Sequence, residues 1–397
     1  MTAPLRILLV TETLVTGGAE TFVLRLARQL RALGHRADVL NLNRDMHEAG
    51  LADQFGEIKI HHLPLPFLRW IKRGDRIARI LGRDASLQRL LSARWIERHL
   101  LGRYDVYHSH LVNADWLMAT LKRHHPAIRL VSTLHGDYQL HELRQASIDE
   151  RSRIPHWPVR RNALMKAIDR WVYIAESQRA LFVDRLGVAV ERMVRIYNGY
   201  APPAALPEAR VRLADAPLTF AMVARALPEK GWSLLIEAFG RLSGSCRLLL
   251  IGSGPYLDDL KARHVDDTRI EFVGFHPNPA ALLVDADVFV FPSTYPAESL
   301  PTVIIEALYC GIPAIATDIG EVAAMLETPS GETAGVVVPI TSREMMVDAL
   351  VAAMQRYLDD PDRLAADRIK APAAFAKFDM AQCGRAYVAV YRSLVDG

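Results

Sequence analysis

Cysteine is scarce in this chain. Its 397 residues include three, Cys246, Cys310 and Cys383, far apart and without a C-x-x-C pair. That excludes a disulfide framework and a cysteine zinc site, and it favours a reducing compartment. Long hydrophobic runs are also missing: no stretch reaches the roughly 20 apolar residues a membrane span needs. Met1 to Val10 has one arginine and an apolar run too short for a signal peptide, and it reads as a first strand. None of the 14 histidines forms H-E-x-x-H or another metal-ligand spacing, so no metal site is expected. The dinucleotide fingerprint G-x-G-x-x-G is absent. Its nearest approach, Gly252-Ser253-Gly254-Pro255-Tyr256-Leu257, ends in leucine, which argues against a dehydrogenase.

What is present points to two large α/β domains. Half of the residues are hydrophobic, enough for sizeable cores, and the length suits two domains of roughly 200 residues. The net charge of +3 hides an asymmetry: residues 1–200 carry 31 Lys and Arg against 20 Asp and Glu, and the remainder carries 17 against 25. A basic half suits phosphates or an anionic membrane surface.

Short runs rich in Ile, Leu and Val alternate with helical patterns. Strands are expected at 5–10, 37–42, 58–63, 106–110, 130–134, 171–175 and 194–197. After a proline- and alanine-rich stretch they resume at 218–224, 247–251, 270–273, 288–292, 314–317 and 336–339. Helices are expected at 19–33, 232–242, 301–310 and 343–357. The alternation predicts parallel sheets with helices on both faces, two doubly wound Rossmann-like domains facing across a cleft. The domains run 1–200 and 218–378, joined by a linker at 201–217 that holds four prolines. A C-terminal helix, 379–397, packs back toward the N-terminal domain.

Several strings place polar residues at strand ends. Thr16-Gly17-Gly18-Ala19-Glu20 joins the first strand to the first helix, where Gly17 and Gly18 let backbone approach a ligand and the helix N-terminus favours an anion. An ordinary tight turn fits the same residues. Arg225 ends a buried strand and Lys230 precedes a helix, a cation pair suited to a diphosphate or simply to solvent. Past the strand ending in Phe291-Pro292-Ser293, Glu298 sits in a loop and Glu306 in the following helix, with Pro301 in its first turn. Amides near Ser299, Leu300 and Thr302 face that loop, where an anion could bind, and either glutamate could grip a sugar diol or be simply a capping residue and an ordinary helix glutamate. His135 ends another strand, as His108 and His110 do; each fits a cleft role or a structural one.

The shared order of these strings resembles glycosyltransferase family 4, whose fold is GT-B. Supporting strings are Thr16-Gly17-Gly18-Ala19-Glu20, Thr133-Leu134-His135-Gly136, Asn198-Gly199, Arg225 through Gly231, Ile251-Gly252-Ser253-Gly254-Pro255 and Phe272-Val273-Gly274-Phe275. The most specific run goes from Phe291-Pro292-Ser293 to Glu298, then Glu306-Ala307-Leu308 and Cys310-Gly311-Ile312-Pro313. The resemblance covers nearly all of the C-terminal half and is patchy before it. It implies a retaining transferase that uses a nucleotide sugar, UDP- or GDP-linked, and needs no metal or other cofactor. It implies that Arg225 and Lys230 hold the donor diphosphate, Glu298 the sugar hydroxyls and Glu306 the ribose. Gly17 and Gly18 would let a loop close over the donor, and His135 would serve the acceptor side. It also implies a glycan or lipid-linked acceptor, in surface or extracellular polysaccharide synthesis such as lipopolysaccharide or exopolysaccharide.

The chain departs from that pattern at Asp318-Ile319-Gly320-Glu321, where Glu321 replaces a second glycine, and at Ala324, where glutamate is common. Tyr200-Ala201 follows Asn198-Gly199 in place of Val-Asp. Residues 61–105 hold ten Lys and Arg against four Asp and Glu, interleaved with Phe67, Leu68, Trp70, Ile71, Ile77, Ile80 and Leu81. Together with the basic stretch 151–161 around Trp157, they suit either peripheral attachment to the inner face of a cytoplasmic membrane or ordinary core-facing helices with solvated arginines. No nucleic-acid motif accompanies the charge. Other readings are a GT-B phosphorylase, marked by a cofactor lysine or a need for free phosphate, a sugar-nucleotide epimerase needing no acceptor, and a degenerate sugar-nucleotide binding module. Arg225, Lys230, Glu298 and Glu306 together argue against the last.

Overall fold

Ile7, Leu8, Leu9 and Val10 are all completely buried, although they face alternate sides of their strand. A strand covered on both faces belongs to a parallel sheet with helices on either side. A computed structural model of the chain shows two such sheets, and it describes residues 3–48, 50–64, 87–136, 138, 157–202, 205–207 and 216–397. The chain divides into two units, Met1–Gly199 with Met380–Gly397, and Tyr200–Asp379. Of the expected linker at 201–217, residues 203–204 and 208–215 lie outside the described residues.

The first unit contains β1 (Arg6–Thr11), β2 (Arg36–Asn41), β3 (Ile60–His62), β4 (Val106–His110), β5 (Leu130–Thr133), β6 (Arg170–Tyr173) and β7 (Met193–Arg195). Their order in the sheet is β3-β2-β1-β4-β5-β6-β7, and every pairing is parallel. The first helix, Gly18–Ala32, buries Phe22, Val23, Leu26 and Leu30 at helical spacing. Gly34 follows at φ +85°, a turn conformation that glycine adopts without strain. The C-terminal helix, Met380–Val395, packs on the first helix, and Gly384 approaches Gln29 so closely that an added Cβ would lie 2.5 Å from its Cγ.

The second unit contains β8 (Leu218–Val223), β9 (Cys246–Ile251), β10 (Ile270–Gly274), β11 (Val288–Phe291), β12 (Ala314–Thr317) and β13 (Gly335–Val338). The sheet order is β10-β9-β8-β11-β12-β13, again all parallel. Its core gathers Phe220, Trp232, Phe239, Leu250, Val290 and Tyr357 from strands and flanking helices. Helix Arg343–Asp359 starts where the Ser342 hydroxyl accepts the Met345 N–H at 3.3 Å.

Each sheet is built outward in both directions from its first strand. The order reverses between β1 and β4 in one unit and between β8 and β11 in the other. At such a reversal neighbouring loops leave in opposite directions, which opens a crevice at the carboxyl ends of the two strands. The sequence-derived site residues cluster around these two reversals.

Candidate active site

In the second unit the loop after β8 supplies the cations. Trp232 donates its indole N–H to the Arg225 carbonyl at 3.1 Å, and the Ala226 N–H bonds the Ser253 carbonyl at 2.9 Å. With its backbone fixed, Arg225 extends an exposed side chain that makes no hydrogen bond or ion pair among the described residues. Lys230 ends a short 3-10 turn, Pro228–Lys230, just before helix Trp232–Gly240. Gly231 sits between them at φ +82°, and a Cβ there would fall 2.1 Å from the Pro292 carbonyl oxygen. Only glycine lets this turn touch the loop after β11.

That contact brings Lys230 to Glu298. The two form an ion pair through Nζ and Oε1, with side chains 12% and 11% exposed. The Ser293 hydroxyl, itself fully buried, donates to the same Oε1 at 3.1 Å. The ammonium also lies 4.5 Å from the centre of the Tyr295 ring, within cation–π range. Thr317, at the end of β12, donates its hydroxyl to the Ser293 carbonyl at 2.6 Å. The Thr294 N–H bonds the Glu229 carbonyl at 2.8 Å, tying the two loops together through backbone as well.

The segment beyond Glu298 is anchored from β12. Gly320 lies at φ +58°, and a Cβ there would meet the Glu298 and Ser299 carbonyl oxygens at 2.5 and 2.6 Å. Glu321 donates its N–H to the Ser299 carbonyl at 2.9 Å. Its own φ is −96°, ordinary backbone for any residue, so the position that departs from a double glycine carries a side chain without strain. Ser299 and Leu300 are buried. The helix that follows runs Thr302–Tyr309, one residue shorter at its start than the sequence suggests: Pro301 stands outside as the N-cap with ψ 110°. Proline fixes φ but leaves ψ free, so it suits either position. Glu306 is buried in the middle of this helix, 7% exposed.

The remaining candidates belong to the first unit. Gly17 caps the first helix with extended backbone, and Gly18 is its first residue. Glu20 folds back over this turn, its carboxylate 2.5 Å from where a Gly17 Cβ would stand and 2.8 Å from the Thr13 hydroxyl that donates to it. Across the β1/β4 reversal, Glu12 accepts both the backbone and the side-chain N–H of Asn113 at 2.8 Å. Leu111, just after β4, has φ +73° and is the one non-glycine residue with positive φ among the described residues. Such a conformation is costly for leucine and clusters at functional edges.

His135 follows β5, partly buried, with Nε2 3.0 Å from Nδ1 of His110 at the end of β4. Phe22 packs edge-on against both rings. Behind them His108 bonds the Tyr391 hydroxyl through Nδ1 and the Thr133 hydroxyl through Nε2, both at 2.8 Å. The Tyr387 hydroxyl also reaches Thr133 at 2.8 Å. Burial lowers the pKa of His135 to about 4 and pushes His108 and His110 well below the usual histidine value, so all three are neutral at pH 7.

Sequence reasoning assigned no role to Tyr295, Thr317, Gly231 or Gly320 around Glu298, although both glycines stand within the quoted strings, nor to Glu12 and Asn113 at the first reversal. Two glycines followed or preceded by charged residues were the available signal for the first group. Among the described residues no group of three or more His, Cys, Asp and Glu could hold a metal ion. No helix among them is long and apolar enough to cross a membrane. Residues 65–86 and 151–156, which carry most of the basic amphipathic stretches, lie outside the described residues, as does the side chain of Trp157.

A doubly wound α/β architecture with charged loops at both sheet reversals has clear relatives. Residues 16–202 match the family described as Glycosyltransferase Family 4, and residues 217–360 match the one described as Glycosyl transferases group 1. A D-inositol 3-phosphate glycosyltransferase of Kineococcus radiotolerans is 26% identical over 96% of this chain and 91% of its own. The lipopolysaccharide core biosynthesis mannosyltransferase LpsB of Rhizobium meliloti is 33% identical over 43% of this chain and 50% of its own. The crystal structure of Anabaena HepE in complex with UDP and glucose superposes with a TM-score of 0.71 at 19% identity, covering 98% of this chain and all of that one. The chain is a glycosyltransferase of family 4 with the GT-B fold.

Proposed function

We propose that the protein transfers a sugar, with retention of anomeric configuration, from a nucleoside-diphosphate sugar to a hydroxyl of a glycan or glycolipid. The observation that carries this reading is the Lys230–Glu298 pair, fixed by Ser293 and backed by Tyr295. It sets a cation suited to phosphate beside a carboxylate suited to sugar hydroxyls, at a sheet reversal where such folds bind ligands. The donor is assigned to the second unit and the acceptor to the first. Within the pair each charge neutralises the other. A bound donor replaces that contact, taking Lys230 to the diphosphate and freeing Glu298 for sugar hydroxyls.

As the bond between the anomeric carbon and the leaving phosphate oxygen breaks, negative charge grows on the diphosphate. Arg225, extended and without a protein partner among the described residues, joins Lys230 in stabilising it. The acceptor oxygen bonds to the anomeric carbon from the same face, and its proton passes to the departing phosphate oxygen. These cations meet the charge without a metal or other cofactor. His135 contributes on the acceptor side, Gly17 and Gly18 admit the donor phosphates closely, Glu306 holds the ribose, and amides of the Ser299, Leu300 and Thr302 segment bind the anionic part of the donor. The lipopolysaccharide relative and the basic composition of residues 61–105 support an acceptor on a surface polysaccharide or lipid, beside an anionic membrane.

Calorimetry with UDP- and GDP-sugars, repeated on Glu298→Ala and Arg225→Ala, tests the donor site. One donor class bound by the wild type and lost in both variants is the expected result. Failure of a folded protein to bind any donor overturns it. Proton NMR of the product settles the stereochemistry, and an inverted anomer would overturn retention. Absence of binding to anionic vesicles at low salt would remove the membrane assignment.

A further inference from the structure

We propose that His110 is a positioning residue that donates from its Nδ1 to Nε2 of His135, holding His135 as the Nδ1–H tautomer, a hydrogen-bond donor for an oxygen of the sugar substrate. The inference rests on the assignment of His135 to substrate handling but goes beyond it, since it fixes which nitrogen carries the proton and therefore what the ring can do. The starting point is a 3.0 Å contact between two imidazoles. A neutral imidazole has one N–H and one lone pair, so in a bonded pair one ring donates and the other accepts.

The choice is made at the far nitrogen of His110. Its Nε2 is completely buried and has no hydrogen-bond partner among the described residues. If Nδ1 of His110 accepted, Nε2 would carry an orphaned buried N–H. If Nδ1 donates, Nε2 keeps only a lone pair. Orphaned buried N–H groups are the rarer and costlier of the two. The rings described around His110 offer Nε2 no partner. Phe22 lies edge-on to His110, with ring centres 6.2 Å apart, and His108 lies 4.2 Å away centre to centre. Both nitrogens of His108 are already engaged, by Tyr391 and Thr133. Tyr387 and Tyr391 come from helix Met380–Val395, so that helix closes the back of the histidine layer.

His135 then accepts through Nε2, and its own proton resides on Nδ1. That nitrogen makes no hydrogen bond among the described residues, on a side chain that keeps partial exposure at the carboxyl end of β5. An N–H in this position gives a hydrogen bond to a hydroxyl or phosphate oxygen. It cannot remove a proton from the acceptor, because the ring's one lone pair is held by His110. His135 is thereby a binding and orienting group, and the acceptor proton must leave by another route, which is the donor phosphate in the mechanism above.

Nitrogen-15 NMR of the full-length protein with labelled histidine reads the tautomer directly. The His135 signals are identified by their loss in His135→Asn. The expected spectrum has a protonated Nδ1 and an unprotonated Nε2. His110→Asn, whose amide nitrogen stands close to the imidazole Nδ1, is expected to keep this pattern and most of the transfer rate. His110→Phe removes the donor, shifts His135 toward the Nε2–H form and lowers the rate about tenfold, the order one hydrogen bond supplies. A wild-type His135 protonated at Nε2 overturns the proposal, as does an unchanged tautomer in His110→Phe. The spectrum needs no activity. A correct tautomer in a protein that transfers no sugar would count against the proposed function and leave the His110 assignment standing.

Discussion

Lys230 and Glu298 lie 68 residues apart in the chain and share one largely buried ion pair. Their meeting depends on a backbone contact, the approach of Gly231 to Pro292, and on the Ser293 hydroxyl that bonds the same carboxylate oxygen. Removing one charge leaves the other poorly solvated. Lys230→Met is expected to destabilise the protein by about 1–3 kcal/mol and to abolish donor binding. Glu298→Gln keeps the Ser293 contact and is expected to cost less stability while still weakening donor binding. Thermal melts together with calorimetry separate the two effects, and equal melting temperatures for Lys230→Met and wild type would contradict the account.

Two glycines with similar backbone angles should respond very differently to alanine. Gly231 and Gly311 have φ of +82° and +71°, but only Gly231 faces a close atom, and nothing lies within 4 Å of a Cβ on Gly311. Gly311→Ala is expected to cost about 1 kcal/mol, the strain of left-handed backbone alone. Gly231→Ala must also push the Pro292 carbonyl away and is expected to cost more than about 3 kcal/mol. Urea denaturation of both variants checks the ranking.

Stability is expected to fall on acidification below about pH 6.5, ahead of general acid unfolding. Burial lowers the folded-state pKa of His135 from 6.5 to about 4, and it also holds those of His108 and His110 well below the usual histidine value. The unfolded chain therefore takes up protons first as pH drops. Stability from these groups is full above 6.5 and is lost as pH falls toward the folded values, at about 1.4 kcal/mol per pH unit for each histidine. Denaturation midpoints at pH 7, 6 and 5 measure the slope, and His135→Asn should make it shallower. A flat profile would show that the histidines titrate alike in the folded and unfolded protein.

Tyr391→Phe removes a hydroxyl from Nδ1 of His108 and leaves that nitrogen buried without a partner. The expected cost is about 1–3 kcal/mol. Tyr387→Phe leaves Thr133 its bond to His108 and should cost less. The double variant should depart from additivity, because both hydroxyls meet in one network through Thr133. A double-mutant cycle on unfolding free energies gives the coupling.

The sequence by itself determined the repeating strand–helix alternation, the parallel sheets and the family. These rest on local signals: continuous apolar runs such as 7–10, helical spacing from Phe22 to Leu30, and short strings at strand ends. Boundaries moved by a residue or two, as at Pro301, because proline suits a cap as well as a first turn. The tertiary structure decided which charged and polar groups meet. Strand order sets Lys230 beside Glu298 and His110 beside His135, and no local pattern encodes a contact across 68 or 25 residues. It also decided why Gly231 and Gly320 must be glycine, since the atoms that exclude a Cβ, the carbonyls of Pro292, Glu298 and Ser299, belong to distant segments. Secondary structure follows from a residue's neighbours in the chain, whereas a site follows from neighbours in space, and these are set only once both sheets have closed their cores.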